Sequence, residues 1–229
     1  LDLSVLKIDT FFASVVGGFI FRVGIGATPF LLPLLLQLGF GLTPFQSGML
    51  TFSTALGAMA MKTTAAPILR RFGFKQILVI NALVSAVFIG IPALFTPITP
   101  HGLILVVLLV GGFFKSLQFT SINSLAYADI EPRAMSAATS FASVAQQLSM
   151  SAGVAVGALV LEIQRHGRAE TAVEPRDFIT AFVVVGLISA ASAFIFMRLP
   201  KSAGASLSRP ARPIATAQEQ VTTGARVDV

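Results

Sequence analysis

The chain has 229 residues, 55% of them hydrophobic and 11% charged, with a formal net charge of +6 and no cysteine. A soluble domain carries about 25% charged residues, so a water-facing globule is excluded, together with disordered, collagen-like and disulfide-framework classes. Thiol nucleophiles and cysteine metal sites are absent, and the basic residues are not interleaved with base-stacking aromatics, so nucleic acid is not an expected partner.

The 16 Lys and Arg and 10 Asp and Glu are sharply segregated. Only Arg22, Lys62 and Lys115 fall inside four apolar blocks, residues 11–69, 77–128, 134–161 and 178–197. Such segregation predicts an all-α integral membrane protein, because a spanning helix needs about 20 apolar residues and the loops keep the charge. The first residue is Leu1, with no methionine and no cleavable signal segment before the first span, and the expectation is a piece of something longer.

In chain order the pattern predicts a cytoplasmic lead-in over residues 1–11 and a six-helix transmembrane domain over residues 12–197. The first span, residues 12–38, contains Pro29 and Pro33 and ends at the turn Gly39-Phe40-Gly41-Leu42-Thr43-Pro44. The second, 45–69, stops at Arg70, Arg71, Phe72, Gly73, Phe74 and Lys75. The third, 76–95, meets a Pro-rich turn, and the fourth, 102–126, is followed by Asp129, Glu131 and Arg133. The fifth covers 134–161 and the sixth 178–197. Residues 198–229 read by composition as a disordered cytoplasmic tail.

Lys and Arg in short loops favour the cytoplasmic side. Lys7, the Arg70–Lys75 loop, Arg133, Arg198 and Lys201 all fall on one side, whereas the turns near 39–44 and 96–101 carry neither. Both termini are therefore expected in the cytoplasm and the protein in the inner (plasma) membrane, with the lipid bilayer as its first partner.

Charged groups inside a span cost several kcal/mol and usually face a protein interior or a water-filled cavity. Arg22 lies about 15 Å into the first span, near the midplane. Lys115 sits mid-way along the fourth, with Gln118 and Asn123 at offsets of three and eight on one helical face. Gln146 and Gln147 fall in the fifth. Arg22, Lys115, Gln118 and Gln146 are the candidate cavity residues, whereas Lys62 is close enough to the second span's end to snorkel. Spans one, two, four and five carry these groups, so they are expected around a polar interior with three and six outside. No Asp, Glu or His lies in any span, leaving no titratable coupling group of the usual kind. Pro29 and Pro33 are the expected hinge of the first span. Ala145, Ser149, Gly153 and Gly157 form a small-residue stripe suited to close helix packing. No metal-binding or nucleophile-base constellation occurs, so no enzyme and no cofactor are expected.

Several segments resemble a known family when taken in order. Leu32-Pro33-Leu34-Leu35-Leu36-Gln37, Gly41-Leu42-Thr43-Pro44-Phe45-Gln46-Ser47-Gly48 and the lead-in Leu3-Ser4-Val5-Leu6-Lys7, with six spans and a basic loop after the second, resemble the C-terminal half of a major facilitator superfamily transporter. The resemblance is greatest to the fourteen-helix drug:proton antiporters of the EmrB/QacA type. Arg71, Gly73 and Lys75 are similar to the family's cytoplasmic loop motif, with Ala66 at its first Gly and Arg70 at its Asp. The resemblance implies a cavity lined by spans one, two, four and five, and a small amphipathic organic substrate. It also implies a proton gradient as coupling source, and an N-terminal half that carries the coupling carboxylates and against which this half rocks. An organic-anion or metabolite carrier of the same superfamily, with Arg22 and Lys115 pairing a carboxylate or phosphate, and a non-transporting membrane fragment are the alternatives.

Overall fold

The computed structural model describes residues 3–167, 174–200 and 202–204. Among them every regular element is helical. A short 3₁₀ turn, Leu3–Lys7, leads into six long helices: α1 Asp9–Gly39, α2 Pro44–Phe72, α3 Phe74–Leu94, α4 His101–Ala126, α5 Met135–Gly167 and α6 Pro175–Met197. Each overlaps one of the apolar stretches of the sequence. α5 continues past residue 161 because Glu162 pairs with Arg165 at 2.8 Å and with His166 at 3.0 Å, one turn on, which supports a helix beyond its apolar stretch.

Local chemistry sets the ends. Thr43 and Gln46 form a capping box around Pro44, with Thr43 N donating to Gln46 Oε1 at 3.0 Å and Gln46 N to Thr43 Oγ1 at 3.3 Å. Gly73 separates α2 from α3 at φ 75° and ψ 160°, a region essentially reserved for glycine. Pro175 opens α6 behind a Glu174–Asp177 capping box. α1 keeps α geometry from Gly18 to Leu34 through both prolines and widens to π turns at Ala13–Gly17 and Leu35–Gly39. Departures from α geometry thus flank the proline pair.

Three helix pairs build the bundle. α1 packs on α5, α2 on α4, and α3 on α6; the α3/α6 pair touches both α1 and α4, and α1 also meets the α2/α4 pair, chiefly along α4 through its Ala13–Gly17 turn. Small residues make the seams possible. A Cβ on Gly57 would overlap the Leu109 carbonyl oxygen, and one on Gly112 would overlap that of Thr54, so α2 and α4 touch through their backbones. On the other side Gly153 abuts the Val23 carbonyl and Gly157 meets Leu31 and Ala27, so the stripe on α5 is a packing surface against α1.

Two apolar cores fill the ends. One gathers Phe21, Met61, Phe74, Leu78, Leu117 and Phe196 near the Arg71–Lys75 loop, and the other Leu31, Leu36, Ile89, Ile104, Phe178 and Phe182 at the far end. A smaller cluster, with Val5, Phe11, Ala126 and Ile130, docks the lead-in on the α4–α5 connection, where Thr10 Oγ1 donates to Asp129 Oδ2 at 2.9 Å. The lead-in is therefore part of the packed bundle.

Among the described residues, five helical segments are long and apolar enough by length and composition to cross a bilayer, and α2 falls outside that set; its 29 residues reach about 43 Å, but Gln46, Ser47, Ser53 and Lys62 dilute its apolar content. The tail does not begin at 198: Leu199 and Ala203 are buried in the first core, because the chain turns at Pro200 and folds back over Phe74. Residues from 205 onward lie outside the described residues.

Candidate substrate-cavity site

Arg22 is the centre of the site. Its side chain is 4% exposed, and it reaches from α1 to α4, where Nη2 donates to Asn123 Oδ1 at 2.7 Å. The guanidinium carbon stands 5.1 Å from the centroid of the Phe119 ring, a cation–π contact strengthened by burial. Gly18 makes room for it, since a Cβ there would come within 2.8 Å of both Arg22 Nη1 and Ile122. Arg22 Nε is buried with no hydrogen-bond partner among the described residues. A charged donor thus ties together two helices of different pairs.

Lys115 occupies the same face of α4, one turn and about 6 Å along the axis from Phe119. It is 8% exposed, and among the described residues no hydrogen bond or ion pair reaches it. Gln118 behaves differently. It is fully buried against α3, where Nε2 donates to the Leu78 carbonyl at 3.0 Å and Oε1 accepts from Asn81 Nδ2 at 3.0 Å; Asn81 also donates to the Phe114 carbonyl at 2.9 Å. Its expected place beside Lys115 in a cavity is corrected by this geometry. An offset of three residues turns the side chain about 60° away, enough to face α3, which the sequence pattern places outside the polar interior.

Gln146 is half-buried on α5, and its carbonyl accepts from Ser149 Oγ at 2.7 Å. The contact of Gly153 with Val23 fixes the register of α5 on α1, so Gln146 lies about level with Val16, roughly 9 Å along the axis from Arg22. Pro29 and Pro33 stand seven and eleven residues after Arg22 on the same face of α1, Pro29 exposed and Pro33 half-exposed. In the loop motif, Arg71 is exposed with its guanidinium carbon 5.7 Å from the Phe72 ring centroid, Gly73 makes the turn, and Lys75 is half-buried. The Arg70 side chain lies outside the described residues. Asn123 and Phe119 are the partners that sequence reasoning leaves out of the site. Asn123 shares the Lys115 face in the sequence pattern, but the signal that selects it is the presence of Arg22 at a matching depth on α1.

The electrostatics are one-sided. The described carboxylates lie at the helix ends or in connections, as at Asp9, Asp129, Glu162 and Asp177, and no cluster of three metal-ligating side chains occurs among the described residues. Two buried cations with an aromatic face and an amide between them can hold the anionic or electron-rich part of an apolar molecule.

The Major Facilitator Superfamily family profile matches residues 14–225. The chain belongs to the Major Facilitator Superfamily. Among curated proteins it is similar to "Putative multidrug resistance protein MdtD" of Salmonella typhi, Salmonella typhimurium and Salmonella newport, 33% identical over 205 residues in each case. The match covers 87% of this chain and 43% of each relative, so the chain spans less than half their length. Membership in this transporter superfamily, with the apolar helices, makes the chain a multi-pass membrane protein with an all-α major-facilitator architecture. The resemblance carried by the sequence motifs is to the same superfamily.

Proposed function

We propose that the chain is the C-terminal half of a proton-coupled multidrug efflux transporter of the inner membrane, with both termini in the cytoplasm. In this reading α2 completes a set of six spans, its polar residues tolerated because Gly57 brings it against α4 and its remaining face meets a second, N-terminal half. The observation that carries the proposal is Arg22, buried and tied from α1 to Asn123 of α4, with buried Lys115 about two turns from Asn123 along the same face of α4. Apolar walls accept varied compounds, and the few polar groups orient them. The N-terminal half supplies the proton-coupling carboxylates, and alternating access rocks the two halves about the midplane site.

The test is export by the whole transporter. Arg22→Ala and Lys115→Ala abolish drug resistance while membrane insertion stays intact; unchanged resistance in both variants overturns the assignment. The chain reconstituted alone supports no proton-driven flux.

A second reading, an organic-anion carrier of the same superfamily, draws support from the same two cations and the absence of any described carboxylate near them. A transport panel of cationic dyes and organic anions separates the two, and anion transport without dye transport selects the carrier.

A further inference from the structure

We infer that the outward face of α3 at its basic end is a binding site for one anionic phospholipid, with the phosphate held by Arg71 and Lys75 and an acyl chain lying along α3. Two adjoining hollows, of about 450 Å³ and about 260 Å³, meet there and share Phe72, Gln76 and Ile80 as walls. The first has Gly73 and Lys75 at its rim and Met197 of α6 on its far side. The second continues between α3 and α4 over Ile77 and Leu117.

The charge pattern selects the occupant. Arg71 is exposed, its guanidinium over the ring of Phe72, which walls both hollows, and Arg198 directly follows Met197 and is exposed. Among the described residues no carboxylate pairs with Arg71, Lys75 or Arg198, and no acid occurs anywhere between Asp9 and Asp129 in the sequence. α3 also begins there without a side-chain cap, so its first N–H groups point toward the same rim.

The apolar part has a matching length. Ile80, Leu83 and Val87 are 53%, 48% and 60% exposed and recur on one face of α3. From Lys75 to Val87 the helix rises about 18 Å, close to one leaflet of a hydrocarbon core about 30 Å thick. Cations at one end of a leaflet-long apolar groove match a phosphate with attached acyl chains. A protein partner would need no such pairing of charge with depth.

The test is native mass spectrometry of the full 229-residue chain, delipidated in detergent and given an equal mixture of phosphatidylglycerol and phosphatidylcholine with the same acyl chains. Phosphatidylglycerol is retained about thirtyfold over phosphatidylcholine, as two nearby cations provide. The pair Arg71→Gln with Lys75→Gln removes the preference, whereas the control pair Arg133→Gln with Arg165→Gln keeps it, and circular dichroism verifies that both remain folded. Inorganic phosphate at the same concentration does not displace the lipid. Equal retention of the two lipids, equal loss of preference in the control pair, or displacement by phosphate alone each overturns the inference.

Discussion

Arg22 on α1 donates a 2.7 Å hydrogen bond to Asn123 on α4, joining two helices that belong to different packed pairs. A hydrogen bond to a charged group contributes about 1.5–3 kcal/mol in soluble proteins, and interhelical bonds in membranes average nearer 0.6. Burial of the guanidinium places this one toward the upper part of that range. Asn123→Ala therefore lowers unfolding stability in detergent by about 1–2 kcal/mol, and a double-mutant cycle with Arg22→Met shows positive coupling. Additive single effects would show that the two side chains are not bonded in the folded chain.

Lys115 and Gln118, three residues apart, respond in opposite directions. Gln118 has two partners on α3, so Gln118→Leu removes two buried hydrogen bonds, leaves the Asn81 amide with the Phe114 carbonyl alone and costs about 1–3 kcal/mol. Lys115 meets no partner among the described residues, so Lys115→Met leaves stability unchanged or raises it by about 1–3 kcal/mol. Chemical unfolding of the two variants side by side reads the difference. A large loss in Lys115→Met would show that its ammonium is bonded in the folded chain.

Backbone contact between α2 and α4 sets a second contrast. Gly57→Ala drives a methyl into the Leu109 carbonyl, whereas Gly48→Ala enters open space. The first is expected to cost about 1–3 kcal/mol or more; the second is neutral or gains up to about 1 kcal/mol from helix propensity. With 20 Phe, one Tyr and no Trp in the chain, thermal unfolding is best followed by circular dichroism. Equal melting of the two variants would contradict the close seam.

A Cβ on Gly73 would meet nothing within 4 Å, yet the φ of 75° and ψ of 160° exclude other residues. Gly73→Ala is expected to cost about 1–3 kcal/mol through the backbone alone. Gly73→Asn should not rescue it, because Asn tolerates the left-handed helical region and not this one. Full rescue by Asn would mean that the turn relaxes to left-handed helical geometry.

Apolar length and turn chemistry made the helices legible. The run from His101 to Ala126, bounded by Pro100 before it and Asp129 and Glu131 after it, has one reading in a bilayer, and the Thr43-Pro44-Phe45-Gln46 cap marks the start of α2 in the same way. The small-residue stripe on α5 was also readable, since spacing of four on a long helix leaves one narrow face. Leu199 and Ala203 were harder: a few apolar positions in a polar, Pro-containing segment acquire meaning only when Phe74 is there to cover them.

The residues of this chain by themselves determined that it is a helical membrane protein with three cations in its apolar blocks, because length, hydropathy and charge act locally along the chain. Which of the polar groups belong together was decided by the tertiary structure. Gln118 went to α3 and Arg22 to Asn123 because helix rotation and register, set by the glycine seams of α1/α5 and α2/α4, fix where each face points. A turn of about 60° separates a cavity residue from a packing residue, and no pattern within one helix states which neighbour lies on which side.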